Sequence, residues 1–388
     1  MIVSMCAGWG MERDGIADYS RYLVDGIRSS GVDVRIAPLG HYIGGRRYYT
    51  EAALKAAGAD ICHIQFNYLY FNGELPYKNR FLYFAGRVSI PLVMTVHEVR
   101  VGFRRLSAEF SSRASKLAYN ALLPALNLWS VSLHERIYAR AGRVIVHTEE
   151  HAKAIRALTE RPDKVVLVPH GIPQISDSDR GVSRLEAKKR LGFDGKRVLT
   201  IPGFINKRKG YEKVLDILAS LPEDVVLMIA GGRMTENAGE IEYYKTVEKI
   251  ISARSLRGRV RIAGYLGERD IPDIMAATDI CLAPFSSTAA SGALSLSIGY
   301  HKPIIASDIA VHNEINERIP CLELFKSDDP KDLLRKIGAL LDDQSRLKAL
   351  STGAAIYGRK YNYKMIAAST IALYNDLLEE PKRGRERV

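Results

Sequence analysis

Short apolar runs alternate with helix-length segments along this whole chain, and that alternation restricts its fold more than any single residue does. The first half holds such runs at Ile2–Cys6, Val34–Ala37, Ile61–Ile64, Leu92–Val96, Val144–His147 and Val165–Val168. The second half holds Val198–Ile201, Val225–Ala230, Val260–Ile262, Ile280–Ala283 and Ile304–Ala306. A strand that is apolar at consecutive positions has no face to give to water, so helices must cover both sides of its sheet. The segments between the runs have the period for that work. Ile16, Tyr19, Leu23 and Ile27 fall on one helical face before Gly31, as do Val214, Ile217 and Leu218 before Pro222. Two sets of runs in 388 residues predict an α/β protein of two doubly wound, Rossmann-like domains. The expected division is 1–170, a polar linker at 171–184 around Pro173 and Asp177-Ser178-Asp179, and 185–360.

Charge narrows the partners. A net charge of +12 favours an anionic ligand or surface. Between Lys78 and Lys116 eight Lys or Arg residues meet only two Glu, with Phe81, Leu82, Tyr83, Phe84, Phe103, Leu106 and Phe110 interleaved. That mixture suits an anionic membrane surface. No low-complexity basic arm points to nucleic acid. Cys6, Cys62, Cys281 and Cys321 lack metal-ligand spacing, so neither a metal centre nor a structural disulfide is expected. The most apolar long segment, Ala121–Leu133, is too short to span a bilayer and contains Pro124. The first strand-like run begins at Ile2 with no signal segment before it, so the expected location is cytoplasmic, free or peripheral at the inner membrane face.

Chemistry in such folds gathers where strands end. Three places stand out. Gly8 and Gly10 follow the first run, and Asp14-Gly15 opens a helix. Thr95-Val96-His97-Glu98 ends another strand and sets a histidine where it can touch a substrate hydroxyl. Gly203-Phe204-Ile205-Asn206-Lys207-Arg208-Lys209-Gly210 puts three cations at the first turn of the second half, a composition that suits a diphosphate. The segment Ala283–Asp308 adds a loop of small residues ahead of an apolar helix. There Ser291, Gly292 and Ala293 can offer backbone N–H groups, and Thr288 and Ser291 hydroxyls.

Taken together these segments resemble glycosyltransferase family 4, retaining enzymes of the two-domain GT-B fold. The resemblance covers nearly the whole chain and rests on motifs in order. They are Gly15-Ile16-Ala17-Asp18-Tyr19, His63-Ile64-Gln65-Phe66, Thr95-Val96-His97-Glu98, Pro169-His170-Gly171-Ile172, Gly203 with Lys209-Gly210, Ala230-Gly231-Gly232, Ala263-Gly264-Tyr265-Leu266, and Asn362-Tyr363 through Tyr374. It implies two domains facing across a cleft, a last helix at 361–380 returning to the first domain, and a UDP- or GDP-linked sugar as co-substrate without a metal or other cofactor. Arg208 and Lys209 would hold the diphosphate, helped by Gly15, Gly203 and the amides of 291–293. Tyr265 and Leu266 would flank the base, and His97 would contact the transferred sugar. The implied enzyme is a hexosyltransferase for mannose or glucose, and the basic, aromatic 78–116 stretch by itself suggests a lipid-linked or polysaccharide acceptor. Two positions depart from the family pattern. Phe204 stands where the family has Arg, and Thr288 and Leu296 stand where it has a Glu-x7-Glu pair.

Overall fold

The computed structural model describes residues 1–10, 14–40, 44–73, 78–99, 113–233, 238–287 and 290–380. All eleven expected runs form strands, with ends that shift by at most two residues. In the first half these are β1 (Ile2–Ala7), β2 (Asp33–Pro38), β3 (Ile61–Phe66), β4 (Leu92–Val96), β5 (Arg143–Val146) and β6 (Val165–Leu167). In the second they are β7 (Arg197–Pro202), β8 (Val225–Ala230), β9 (Val260–Ile262), β10 (Ile280–Ala283) and β11 (Ile304–Ser307). A twelfth strand, β12 (Glu323–Phe325), was not expected. It has three residues, begins on a charge and lies at a sheet edge, so neither its length nor its pattern marks it.

The chain divides into two compact units, one of Met1–Pro169 with the residues from Lys364 onward, the other of His170–Tyr363. The sheet of the first unit runs β2-β1-β3-β4-β5-β6 and every pairing is parallel. Its strand order reverses between β1 and β3, the point where ligands gather in such sheets. Asp14 caps the helix Gly15–Ser29 by accepting from the N–H groups of Ile16 and Ala17. Tyr19, Leu23 and Ile27 of that helix are buried. The helix Tyr363–Glu379 is fixed to this sheet. The Tyr374 hydroxyl lies 2.5 Å from His63 Nδ1 on β3, Glu380 pairs with Arg143 of β5 at 2.6 Å, and Leu377 fills the space beside Gly142.

The second sheet runs β12-β11-β10-β7-β8-β9, also parallel, and reverses between β7 and β10. Period two is visible in its core. Ile280 and Leu282 face one layer with Leu199, Ile201 and Ile305, while Cys281 and Ala283 face the other with Leu294 and Ile298. Both faces are therefore covered, as the apolar central strands require.

Two expectations change. Residues 171–184 fall inside the second unit: Ile172 is buried and pairs with Asn362, and a helical turn capped by Ser176 occupies Asp177–Arg180. In the basic 78–116 stretch, Phe81 and Phe84 are fully buried and Leu82 and Tyr83 pack against the same core, so these four are core or core-edge residues. Residues 100–112, with Phe103, Leu106 and Phe110, lie outside the described residues.

Candidate functional site

In the second unit, the two loops at the reversal point meet at Gly203. This residue follows β7 with φ +91, in the left-handed region that favours glycine. A Cβ there would lie 2.9 Å from Lys209 Nζ and 2.9 Å from the Cβ of Ala293, so Gly203, Lys209 and Ala293 converge on one point. Lys209 donates to the Pro202 carbonyl at 2.9 Å and its ammonium sits 4.5 Å above the Phe285 ring centroid. Burial, aided by neighbouring Arg208, pulls its amine down to about 7. Arg208 is exposed, and its carbonyl accepts the Ser286 N–H at 2.9 Å. Gly210, at φ +66, leaves no room for a side chain against the Pro284 carbonyl. The loops after β7 and β10 are thus closed onto each other by backbone.

The helix Gly292–Gly299 starts at this point. Ser291 caps it, its Oγ accepting the Leu294 N–H at 3.3 Å, and Gly292 is exposed, with open space where a Cβ would lie. The N–H groups of Gly292 and Ala293 belong to a first turn that has no intrahelical acceptor, and the helix dipole adds partial positive charge. A partly buried amine beside such a turn suits a diphosphate. Thr288 lies outside the described residues. Leu296 is partly buried and packs in the apolar layer with Ile298 and Ile304, so its position supplies packing and no carboxylate. Tyr265 is 51% exposed, and its ring lies nearly parallel to Phe204 with centroids 6.4 Å apart. Leu266 packs against the small core of Phe193, Val226 and Met228. Close backbone approach explains the glycines here. Gly231 abuts the Gly203 carbonyl, and a Cβ on Gly232 would lie 3.0 Å from the Tyr265 nitrogen.

In the first unit, His97 stands at the end of β4, half-buried. Its Nε2 lies 2.8 Å from Gln65 Oε1. An amide oxygen only accepts, so in this arrangement Nε2 donates. Its ring meets Tyr19 edge-on at 4.8 Å and His147 at 5.3 Å. His147, buried at the end of β5, donates from Nδ1 to the Val168 carbonyl at 2.9 Å. His63 is an interior residue with both nitrogens occupied, by Tyr374 and by Thr95 at 2.8 Å, and burial holds its pKa near 3. Gly15, the first residue of its helix, is exposed.

The sequence did not single out Gln65, Tyr19 or His147 beside His97, nor Phe285 beneath Lys209. Gln65 and Tyr19 lie within motifs that gave them no separate role, and Tyr19 and Phe285 have the ordinary signature of core aromatics. Only His147, polar at the end of an apolar run, carried a signal.

Residues 183–356, within the second unit, match the family model "Glycosyl transferases group 1". Over 308 residues the chain is 21% identical to an alpha-D-kanosaminyltransferase of Streptomyces kanamyceticus, covering 76% of this chain and 73% of that protein. It is 22% identical over 346 residues to a D-inositol 3-phosphate glycosyltransferase of Thermobispora bispora, covering 86% and 74%. Among solved structures, Anabaena HepE in complex with UDP and glucose matches with a TM-score of 0.71 at 17% identity, covering 97% of this chain and 100% of that one. In sequence this chain is similar to group 1 glycosyltransferases, and in fold to structures built, like it, of two Rossmann-like domains.

Proposed function

We propose that this chain is a retaining hexosyltransferase that needs no metal. It moves mannose or glucose from a UDP- or GDP-sugar to a lipid-linked or polysaccharide acceptor at the cytoplasmic membrane face. The observation that carries the reading is the convergence of Lys209, Gly203 and Ala293 at the reversal point of the second sheet. Leaving-group departure puts negative charge on a diphosphate. The Lys209 ammonium and the first-turn amides of 292–293 are preorganised to receive it, with Arg208 able to approach from solvent. Binding favours the charged amine over the neutral one, so the phosphate restores a proton that burial disfavours.

The remaining roles follow from position. Tyr265 and Phe204 offer an aromatic surface to the base or sugar, with Leu266 behind. Gly15 leaves the start of its helix open to the donor. His97, its ring held by Gln65 and Tyr19 at the end of β4, would contact the transferred sugar. UDP and glucose in the HepE structure support UDP-glucose as the first donor to try.

A second reading is a protein that binds a nucleotide sugar without transferring it. It is favoured by Leu296, packed where the family has Glu. Incubation with UDP- and GDP-sugars, with and without acceptor lipid and with chelator present, separates the two. Release of free nucleoside diphosphate supports transfer. Binding with no release sinks it, and a new nucleotide sugar without acceptor indicates an epimerase.

A further inference from the structure

Residues Leu117–Leu133 carry no charge, yet they lie on a surface helix, Arg113–Ala139. One side of that helix is buried through Leu123, Leu133, Ile137 and Tyr138. The opposite side exposes Leu117 by 65%, Leu122 by 59%, Leu128 by 74% and Trp129 by 50%. Ala121, Pro124, Ala125 and Ser132 fill the gaps between them. At 100° per residue this exposed set spans an arc of about 160°. A surface helix normally turns polar residues outward, and a helix apolar all round is one that something covers.

We propose that this face lies flat in the interface of an anionic bilayer and holds the enzyme against the membrane. The charge pattern favours lipid. In sequence Arg113 and Lys116 precede the apolar strip, Arg136 and Arg140 follow it, and Glu135 is the one acid between 113 and 140. The exposed Arg136 and Arg140 can reach anionic headgroups while the strip enters the acyl boundary, the exposed Glu135 lying at the strip's end, and Trp prefers that depth. A second copy fits poorly. Whether two such helices paired parallel or antiparallel, cations would face cations at both ends. The net charge of +12 adds attraction to the same surface. No described helix is long and apolar enough to cross a membrane, so the contact is interfacial. This deepens the membrane-face assignment above and rests on it only for the acceptor's location.

The test is flotation of the full chain with phosphatidylcholine vesicles, with and without phosphatidylglycerol. It compares wild type with the double variant Leu128→Glu, Trp129→Ser. Both residues are exposed, so the variant should melt as wild type and hydrolyse UDP-sugar in solution at the same rate. Wild type is expected to float with anionic vesicles, with Trp129 quenched by bromine-labelled acyl chains. The variant should lose at least about tenfold in partitioning. Wild type remaining in the aqueous fraction would overturn the proposal, as would equal flotation of the variant. So would a wild-type dimer that the variant dissolves while vesicles bind neither. Flotation without any glycosyl transfer would support this inference and count against the proposed activity alone.

Discussion

Lys209 gives the sharpest test, because its charge state in the free protein is set by burial. With its amine drawn from 10.5 to about 7, roughly half the protein is uncharged there near neutral pH. A nucleoside diphosphate binds the charged form. Its last phosphate ionisation lies near pH 6, so above pH 7 the ligand's charge is constant. From pH 7 to 9 each bound diphosphate must therefore draw a proton onto Lys209. Affinity should fall about 50-fold across the window, or roughly 2.3 kcal/mol, approaching tenfold per unit at its upper end. Stability moves the opposite way. The folded pKa lies below the unfolded one, so the unfolded chain binds more protons and the native state is penalised most below pH 7. The penalty fades between pH 7 and 10.5, and Lys209→Met should raise the melting temperature at pH 6 while weakening UDP binding. Calorimetric titration with UDP in buffers of different ionisation enthalpy reads both affinity and proton uptake. Lys209→Arg should bind with a flat profile, since guanidinium stays charged. A flat wild-type profile, or an unchanged slope in Lys209→Met, would refute the assignment of Lys209 to the diphosphate.

Replacing His97 with Ala should lower turnover by about 100-fold and leave UDP affinity within a few-fold, read by steady-state kinetics beside titration. Equal losses in both would place His97 outside the reacting region. Gly203→Ala should abolish nucleotide binding and destabilise by about 1–3 kcal/mol, because it combines positive φ with a clash against Lys209 and Ala293. Gly292→Ala, with open space around it, should melt within a degree or two of wild type; a comparable loss would show that the first turn is more crowded than described. Tyr374→Phe removes the hydroxyl beside His63 Nδ1 and should cost about 1–3 kcal/mol by denaturant unfolding, with m unchanged. No loss would mean that this contact does not secure the last helix to β3.

How much was legible follows from the range of each interaction. Eleven strands could be read because an apolar run between helix-length segments is a local property, and β12 was missed because three residues with Glu323 at their start carry no such pattern. The cations at 207–209 and the small-residue loop could be located as separate loops for the same reason. Their meeting at Gly203 could not, because it depends on β7 and β10 lying side by side with residues 203–279 of the chain between them. Lys209 and Arg208 look alike in the sequence. Tertiary packing separates them, setting one amine over Phe285 in partial burial and leaving the other side chain in water.

The basic 78–116 stretch shows the converse. Composition marked it as a membrane surface, yet Phe81 and Phe84 lie in the core. The exposed apolar face proved to be one side of the next helix. Composition counts aromatic residues but does not say which way they point. The sequence alone therefore determined eleven strands, their parallel pairing and the loops that carry the glycines and cations, since periodicity and local chemistry suffice for these. Only the tertiary structure decided which side chains share a site, which charges are buried and which apolar residues face outward. Those depend on contacts between residues distant in the chain, and no local pattern encodes them.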